Sequence, residues 1–150
     1  MEIVEFEPRH AEAWKLLGEA WIVGAFAMEP KDRELLDDPQ GKILAKGGRI
    51  LMAEHDGEAV GCVALLPLAD GGYEVAKMTV GAAARGAGLG RLLMQACIDR
   101  ARAAGAPRLY LETNSSLAPA LALYRSVGFV DLPPRPSPYV RADVWMELRL

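Results

Sequence analysis

The chain has 150 residues, 51% of them hydrophobic and 25% charged, and a net charge of −3. That length and composition predict one globular domain over residues 1–150 with a core of its own, and they exclude disorder of the whole chain. No run approaches the roughly 18 apolar residues of a membrane span, and the acidic balance argues against a nucleic-acid partner.

The start, MEIVEFEPRH, is acidic and lacks the apolar core of a secretory signal. Cys62 and Cys97 lie in apolar segments without metal or redox spacing, which reads as two reduced core thiols in a cytoplasmic protein. Residues 1–58 carry 13 Asp/Glu against 7 Lys/Arg, whereas residues 59–150 carry 7 against 10. An anionic ligand on the second half and a cationic one near the first fit that split, as does an ordinary solvated surface.

Residues 2–6 alternate like a short strand. A helix follows from about Ala11 to Met28, with Leu17, Trp21, Ala25 and Met28 on one face; Gly18 and Gly24 weaken it and Pro30 ends it. Short helical pieces are predicted between Glu29 and Pro39 and from Pro39 towards Lys46, stopping at Gly47-Gly48. Arg49–Glu54 and Glu58–Pro67 flank Asp56-Gly57 and form a hairpin, and Asp70-Gly71-Gly72 turns the chain into a third strand, Tyr73–Val80.

The stretch VGAAARGAGLGRLL, from Val80 to Leu93, leaves that strand through small residues and enters an amphipathic helix over Gly88–Ala104. Leu89, Leu93, Cys97 and Ala101 share its apolar face, and Gly105 stops it. Arg85 supplies a fixed positive charge, while Gly86, Gly88 and Gly90 let the backbone approach an anion at a helix N-terminus. This reads as a phosphate cradle.

Arg108–Thr113 is the next strand, with Leu109, Leu111 and Thr113 on one face and Tyr110, Glu112 and Asn114 on the other. A helix from about Ser116 to Val127 stops at Gly128, and Phe129–Leu132 and Ala142–Leu148 are the last strands, separated by the proline-rich loop PPRPSPYVR. The order predicts an α/β (α+β) fold: a mixed, mostly antiparallel sheet of six or seven strands with helices on both faces. Tyr73–Val80 and Arg108–Thr113 should be parallel, since a helix joins them.

No Gly-Lys-Ser/Thr is present, so the cradle is not a P-loop. A dinucleotide fingerprint fails too, because Arg91 stands at its third glycine position and the N-terminal half lacks repeated β-α-β units. Arg85-Gly86-Ala87-Gly88-Leu89-Gly90, of the form [RQ]-x-x-G-x-[GA], resembles the acetyl-CoA pyrophosphate loop of the GNAT N-acetyltransferase superfamily. EVAKMTV before the loop and LETNSSLAPALALYRSVGF after it extend the resemblance over the family's fourth strand, fifth strand and tyrosine-bearing helix.

The resemblance implies an acetyl-CoA-dependent transfer of an acetyl group to a primary amine, by direct attack in a ternary complex and without a metal. It implies that Met78, Thr79, Val80, Arg85 to Arg91 and Asn114 contact the CoA, with bulged backbone around Met78–Val80 supplying oxyanion donors. It implies Tyr124 as general acid and Glu74 as a base acting through water, with Glu112 or water alone as the alternatives. Glu19, Trp21 and Tyr139, together with Glu112, are candidates for the acceptor pocket. The partner is a small-molecule or peptide amine, and a homodimer is compatible with the pattern. A non-catalytic acyl-CoA-binding domain of the same fold, or an interaction protein with a vestigial loop, is the rival. Lys77, His10 and His55 read as solvated or turn residues.

Overall fold

In the computed structural model, which describes residues 1–150, seven strands form one sheet in the order β1-β2-β3-β4-β5-β7-β6. The strands are β1 (Glu2–Glu5), β2 (Arg49–His55), β3 (Glu58–Pro67), β4 (Tyr73–Val80), β5 (Arg108–Thr113), β6 (Val130–Leu132) and β7 (Val144–Arg149). The helices are α1 (Ala11–Ala25), α2 (Pro30–Asp37), α3 (Pro39–Lys42), α4 (Leu89–Ala103) and α5 (Ala118–Ser126). All strand pairs are antiparallel except β4 with β5.

Both faces of the sheet are covered, because alternate residues of its central strands enter two cores. Leu51, Val63, Leu65 and Val75 pack with Leu93, Cys97 and Ala101 of α4. Ile50, Met52, Cys62 and Ala64 pack with Trp14 and Ile22 of α1 and Leu35 and Leu36 of α2. Cys62 and Cys97 are both buried and unpaired.

The buried face of α1 is Trp14, Gly18 and Ile22, one step round from the expected stripe of Leu17, Trp21 and Ala25. Gly18 sets this face: a Cβ there would lie 2.5 Å from Leu36 Cδ2, so glycine lets α2 approach closely. The Trp14 indole N–H donates to the Leu35 carbonyl at 3.0 Å and fixes the same contact. α1 ends at Ala25 rather than Met28, because Phe26 is extended (φ −144°) and carries the chain to the α2 N-cap at Glu29. His10 is also buried, not at the surface. Its Nδ1 accepts the Glu7 N–H at 2.9 Å and its Nε2 faces Glu54 at 2.8 Å, so both polar atoms are satisfied. His55 is exposed at the end of β2.

Two features of β4 create a cleft. It pairs with β5 only at Tyr73–Leu109 and Glu74–Tyr110, after which the strands part. On its other edge the register with β3 shifts: Ala76 pairs Ala64 and Thr79 pairs Cys62, leaving Lys77 and Met78 opposite Val63 alone. This is a β-bulge, and Lys77 sits in it at φ +56°.

Candidate active site

The cleft opened by the parting of β4 and β5 is lined by Glu74 and Met78 of β4, Glu112 of β5, Tyr124 of α5, Trp21 of α1 and Tyr139 of the proline-rich loop. Strand alternation explains part of this set. Glu74 pairs with Tyr110, so Glu112, two residues on, projects from the same face of the sheet.

The two carboxylates have unlike surroundings. Glu112 accepts the Tyr110 hydroxyl at 2.7 Å on one oxygen and the Ser137 hydroxyl at 2.7 Å on the other. Burial, helped by the negative charge of Glu112, pushes Glu74 up to about 7, with Lys77 and Lys31 pulling the other way. No hydrogen bond contributes to that shift. Tyr124 packs its ring against Phe129, with centroids 5.9 Å apart, and burial pushes its hydroxyl up to about 12. Near neutral pH this cleft therefore holds a carboxylate that can exchange a proton and a phenol that keeps one.

One wall of the cleft rests on ion pairs that the sequence did not reveal. Lys77, expected in solvent, is buried: its Nζ donates to Asp32 Oδ1 at 2.5 Å and to the Tyr139 hydroxyl at 3.1 Å. Arg141 grips the same Asp32 with both terminal nitrogens, at 2.8 and 2.6 Å. Asp32 is fully buried; burial raises its carboxyl, but the bonds from Arg141 and Lys77 outweigh that and bring it down to about 2. Lys77 shifts down as well, because it loses its hydration and shares its partner with another cation. The lowered Asp32 carboxyl, facing two donors, marks the cluster as an ionised one. The only sequence signal was local: Glu29-Pro30 with Asp32 two residues on forms a capping box at the start of α2.

The loop between β4 and α4 ends in two left-handed glycines, Gly86 (φ +81°) and Gly88 (φ +76°), and nothing lies within 4 Å of where a Cβ would stand on either. Gly88 is the N-cap of α4, and no side chain bonds the helix's first turn. Bare backbone therefore leads into an uncapped helix N-terminus, which suits an anion such as a pyrophosphate. Val80 and Arg85 line a second, apolar groove against Leu16, Leu17 and Ala20 of α1. Arg91 donates to Ser126 Oγ at 2.8 Å, and Gly90 lies under Leu123 of α5. The Asn114 amide lines the cleft while donating to the Arg141 carbonyl at 2.7 Å and accepting the Ser116 N–H at 2.8 Å. Glu19 is held by Arg33 at 2.6 Å and is not among the residues lining the cleft.

Residues 11–129 match the family model for the acetyltransferase (GNAT) family. The chain belongs to the GNAT acetyltransferase family. Among curated GNAT relatives it is 46% identical over 87 residues to an IAA acetyltransferase of Azospirillum brasilense, a match covering 57% of each protein. It is 30% identical over 151 residues to an uncharacterized N-acetyltransferase of Schizosaccharomyces pombe, covering 95% of this chain and 90% of the relative. A GNAT acetyltransferase structure from Staphylococcus aureus superposes with a TM-score of 0.87 at 19% identity, over 99% of this chain and 98% of the other. A Salmonella typhimurium structure containing acetyl-CoA as its cofactor superposes with a TM-score of 0.82 at 21% identity, over 99% and 93%. These likenesses show the GNAT fold. No helix of the protein is long and apolar enough to cross a membrane.

Proposed function

We propose that this GNAT-family chain is an acetyl-CoA-dependent N-acetyltransferase that moves the acetyl group to a primary amine by direct attack in a ternary complex. The observation that carries the reading is the meeting of Glu74 and Tyr124 in the cleft where β4 and β5 part. The amine arrives as an ammonium with a pKa of about 10, so it must lose a proton before it can attack. Glu74, with a value of about 7 and no bonded donor, suits the role of base, working through a water molecule.

As the amine adds to the thioester carbonyl, negative charge collects on its oxygen. Backbone donors of the bulge at Lys77 and Met78 stabilise that charge. When the C–S bond breaks, the sulfur leaves as a thiolate with a pKa of about 8.5 in water, and the Tyr124 hydroxyl donates to it. The CoA pyrophosphate is assigned to Arg85 and the backbone of Gly86 to Gly90, and the pantetheine arm to Met78–Val80 and Asn114. Trp21, Glu112 and Tyr139 are assigned to the acceptor wall. Two buried, unpaired cysteines support placing the enzyme in the cytoplasm.

The test is release of free CoA from acetyl-CoA across a panel of amines. Turnover that needs both an amine and Glu74 supports the reading. Acetyl-CoA binding without turnover on any amine, peptide or protein acceptor would favour the non-catalytic acyl-CoA-binding domain instead.

A further inference from the structure

Two costs coincide at Lys77. Its backbone is left-handed (φ +56°), which costs a non-glycine residue about 1–2 kcal/mol, and its ammonium is buried, which costs more unless the charge is paired. Both fall in the β4 bulge, whose Lys77 and Met78 line the cleft. At the register shift the Lys77 carbonyl accepts from Thr79 Oγ1 at 3.3 Å and Cys62 Sγ at 3.9 Å. The side chain ends on Asp32, 45 residues earlier in the chain, and Asp32 is also gripped by Arg141, 109 residues on. Glu29 binds the backbone N–H of Val140 at 2.7 Å, so the start of α2 holds the far end of the proline-rich loop as well.

We infer that Lys77 is a positioning residue: its ion pair with Asp32 pins the β4 bulge in the conformation that presents backbone donors to the cleft, and Asp32, through Arg141, sets the acceptor wall from the same point. This rests on the acetyltransferase reading. One buried carboxylate orients both the oxyanion donors and the loop that carries Tyr139, so displacing the loop disturbs the bulge. Glu74 faces Lys77 and Lys31 as cations and Glu112 as an anion, so removing the lysine charge also raises Glu74. Turnover must therefore be compared well above pH 7, where that change does not matter.

The experiment compares Lys77→Met, Lys77→Gly and Lys77→Arg by kcat, by the KM for acetyl-CoA and by the rise in thermal midpoint on adding acetyl-CoA. Lys77→Met should lower the high-pH kcat by about 10²-fold, the usual worth of an oxyanion donor, while the KM for acetyl-CoA moves by less than about threefold. Lys77→Gly relieves the backbone strain without restoring the pin and should lose as much, whereas Lys77→Arg, which can still reach Asp32, should recover most of the rate. If Lys77→Met shows no cooperative thermal transition and so does not fold, Lys77→Gln, which removes the ion pair but leaves a polar group beside Asp32, replaces it and should likewise lower the high-pH kcat, an unchanged value overturning the inference. A Lys77→Gly protein as active as the parent, or an unchanged high-pH kcat in Lys77→Met, would overturn the inference while leaving the acetyltransferase reading intact. A parent protein that turns over no acceptor would overturn both.

Discussion

Glu74 and Glu112 are chemically identical side chains on neighbouring strands, and burial, neighbouring charge and hydrogen bonding together divide their roles. Glu112 carries two hydroxyl donors, one from its own strand and one from the proline-rich loop, whereas Glu74 has none and feels the charge of Glu112. The acid limb of kcat/KM should therefore follow Glu74, with activity lost below about pH 7 and level above it. Glu112→Gln removes a charge that raises Glu74, so the limb should move to lower pH, read from the pH profile on one acceptor. A limb that stays in place would show that Glu112 does not reach Glu74 electrostatically. Tyr124→Phe should lower kcat by roughly 10²-fold with little change in acetyl-CoA affinity, since the hydroxyl is needed only as sulfur departs. Unchanged turnover would leave Tyr124 as packing for Phe129.

At the scale of elements, what was legible in the sequence was what is determined locally. The strands from Arg49 onward fall within one or two residues of their expected limits, since turn residues mark their ends. α4 and the glycine-rich loop that enters it were readable because turn glycines separate an apolar strand from a periodic helix, and the role proposed for that loop is to cradle an anion. Gly88→Val tests that reading. At φ +76° valine is strained by about 1–2 kcal/mol, yet it has open space around it, so the protein should fold with a modestly lower midpoint. Acetyl-CoA at about 100 times its Kd should stabilise the parent by about 2.7 kcal/mol, and Gly88→Val should lose that gain, measured by thermal unfolding. A retained gain would move the anion site elsewhere. The buried face of α1 was not legible, because apolar residues surround that helix and only the partner, Leu36 against Gly18, chooses among them. Lys77, Asp32 and Arg141 were illegible for a related reason: each alone reads as a solvated charge, and their meeting depends on the whole fold.

Across the whole molecule, β1–β4 and β5–β7 share only a two-residue ladder, and beyond it the sheet stands open. At the open end, Asp32 clasps Lys77 of the first half and Arg141 of the segment entering β7. Asp32→Asn leaves two buried cations without their shared charge and should cost about 3–5 kcal/mol, the usual penalty of breaking a buried pair. Part of that cost depends on pH, and its sign is fixed. The Asp32 carboxyl is lowered in the fold from 3.8 to about 2, so its contribution is complete above about pH 4 and is lost as pH falls through about 2. The gap between parent and Asp32→Asn in urea midpoints should thus be constant from about pH 5 to 8 and shrink, by on the order of 2 kcal/mol, towards pH 2. Glu74 runs the opposite way. Its folded value is raised from 4.5 to about 7, so ionising it costs stability progressively between those values, and Glu74→Gln should be the more stable protein at pH 8 but not at pH 4. An Asp32→Asn deficit that persists undiminished at pH 2 would mean that the clasp holds the two halves by shape and hydrogen bonding rather than by charge.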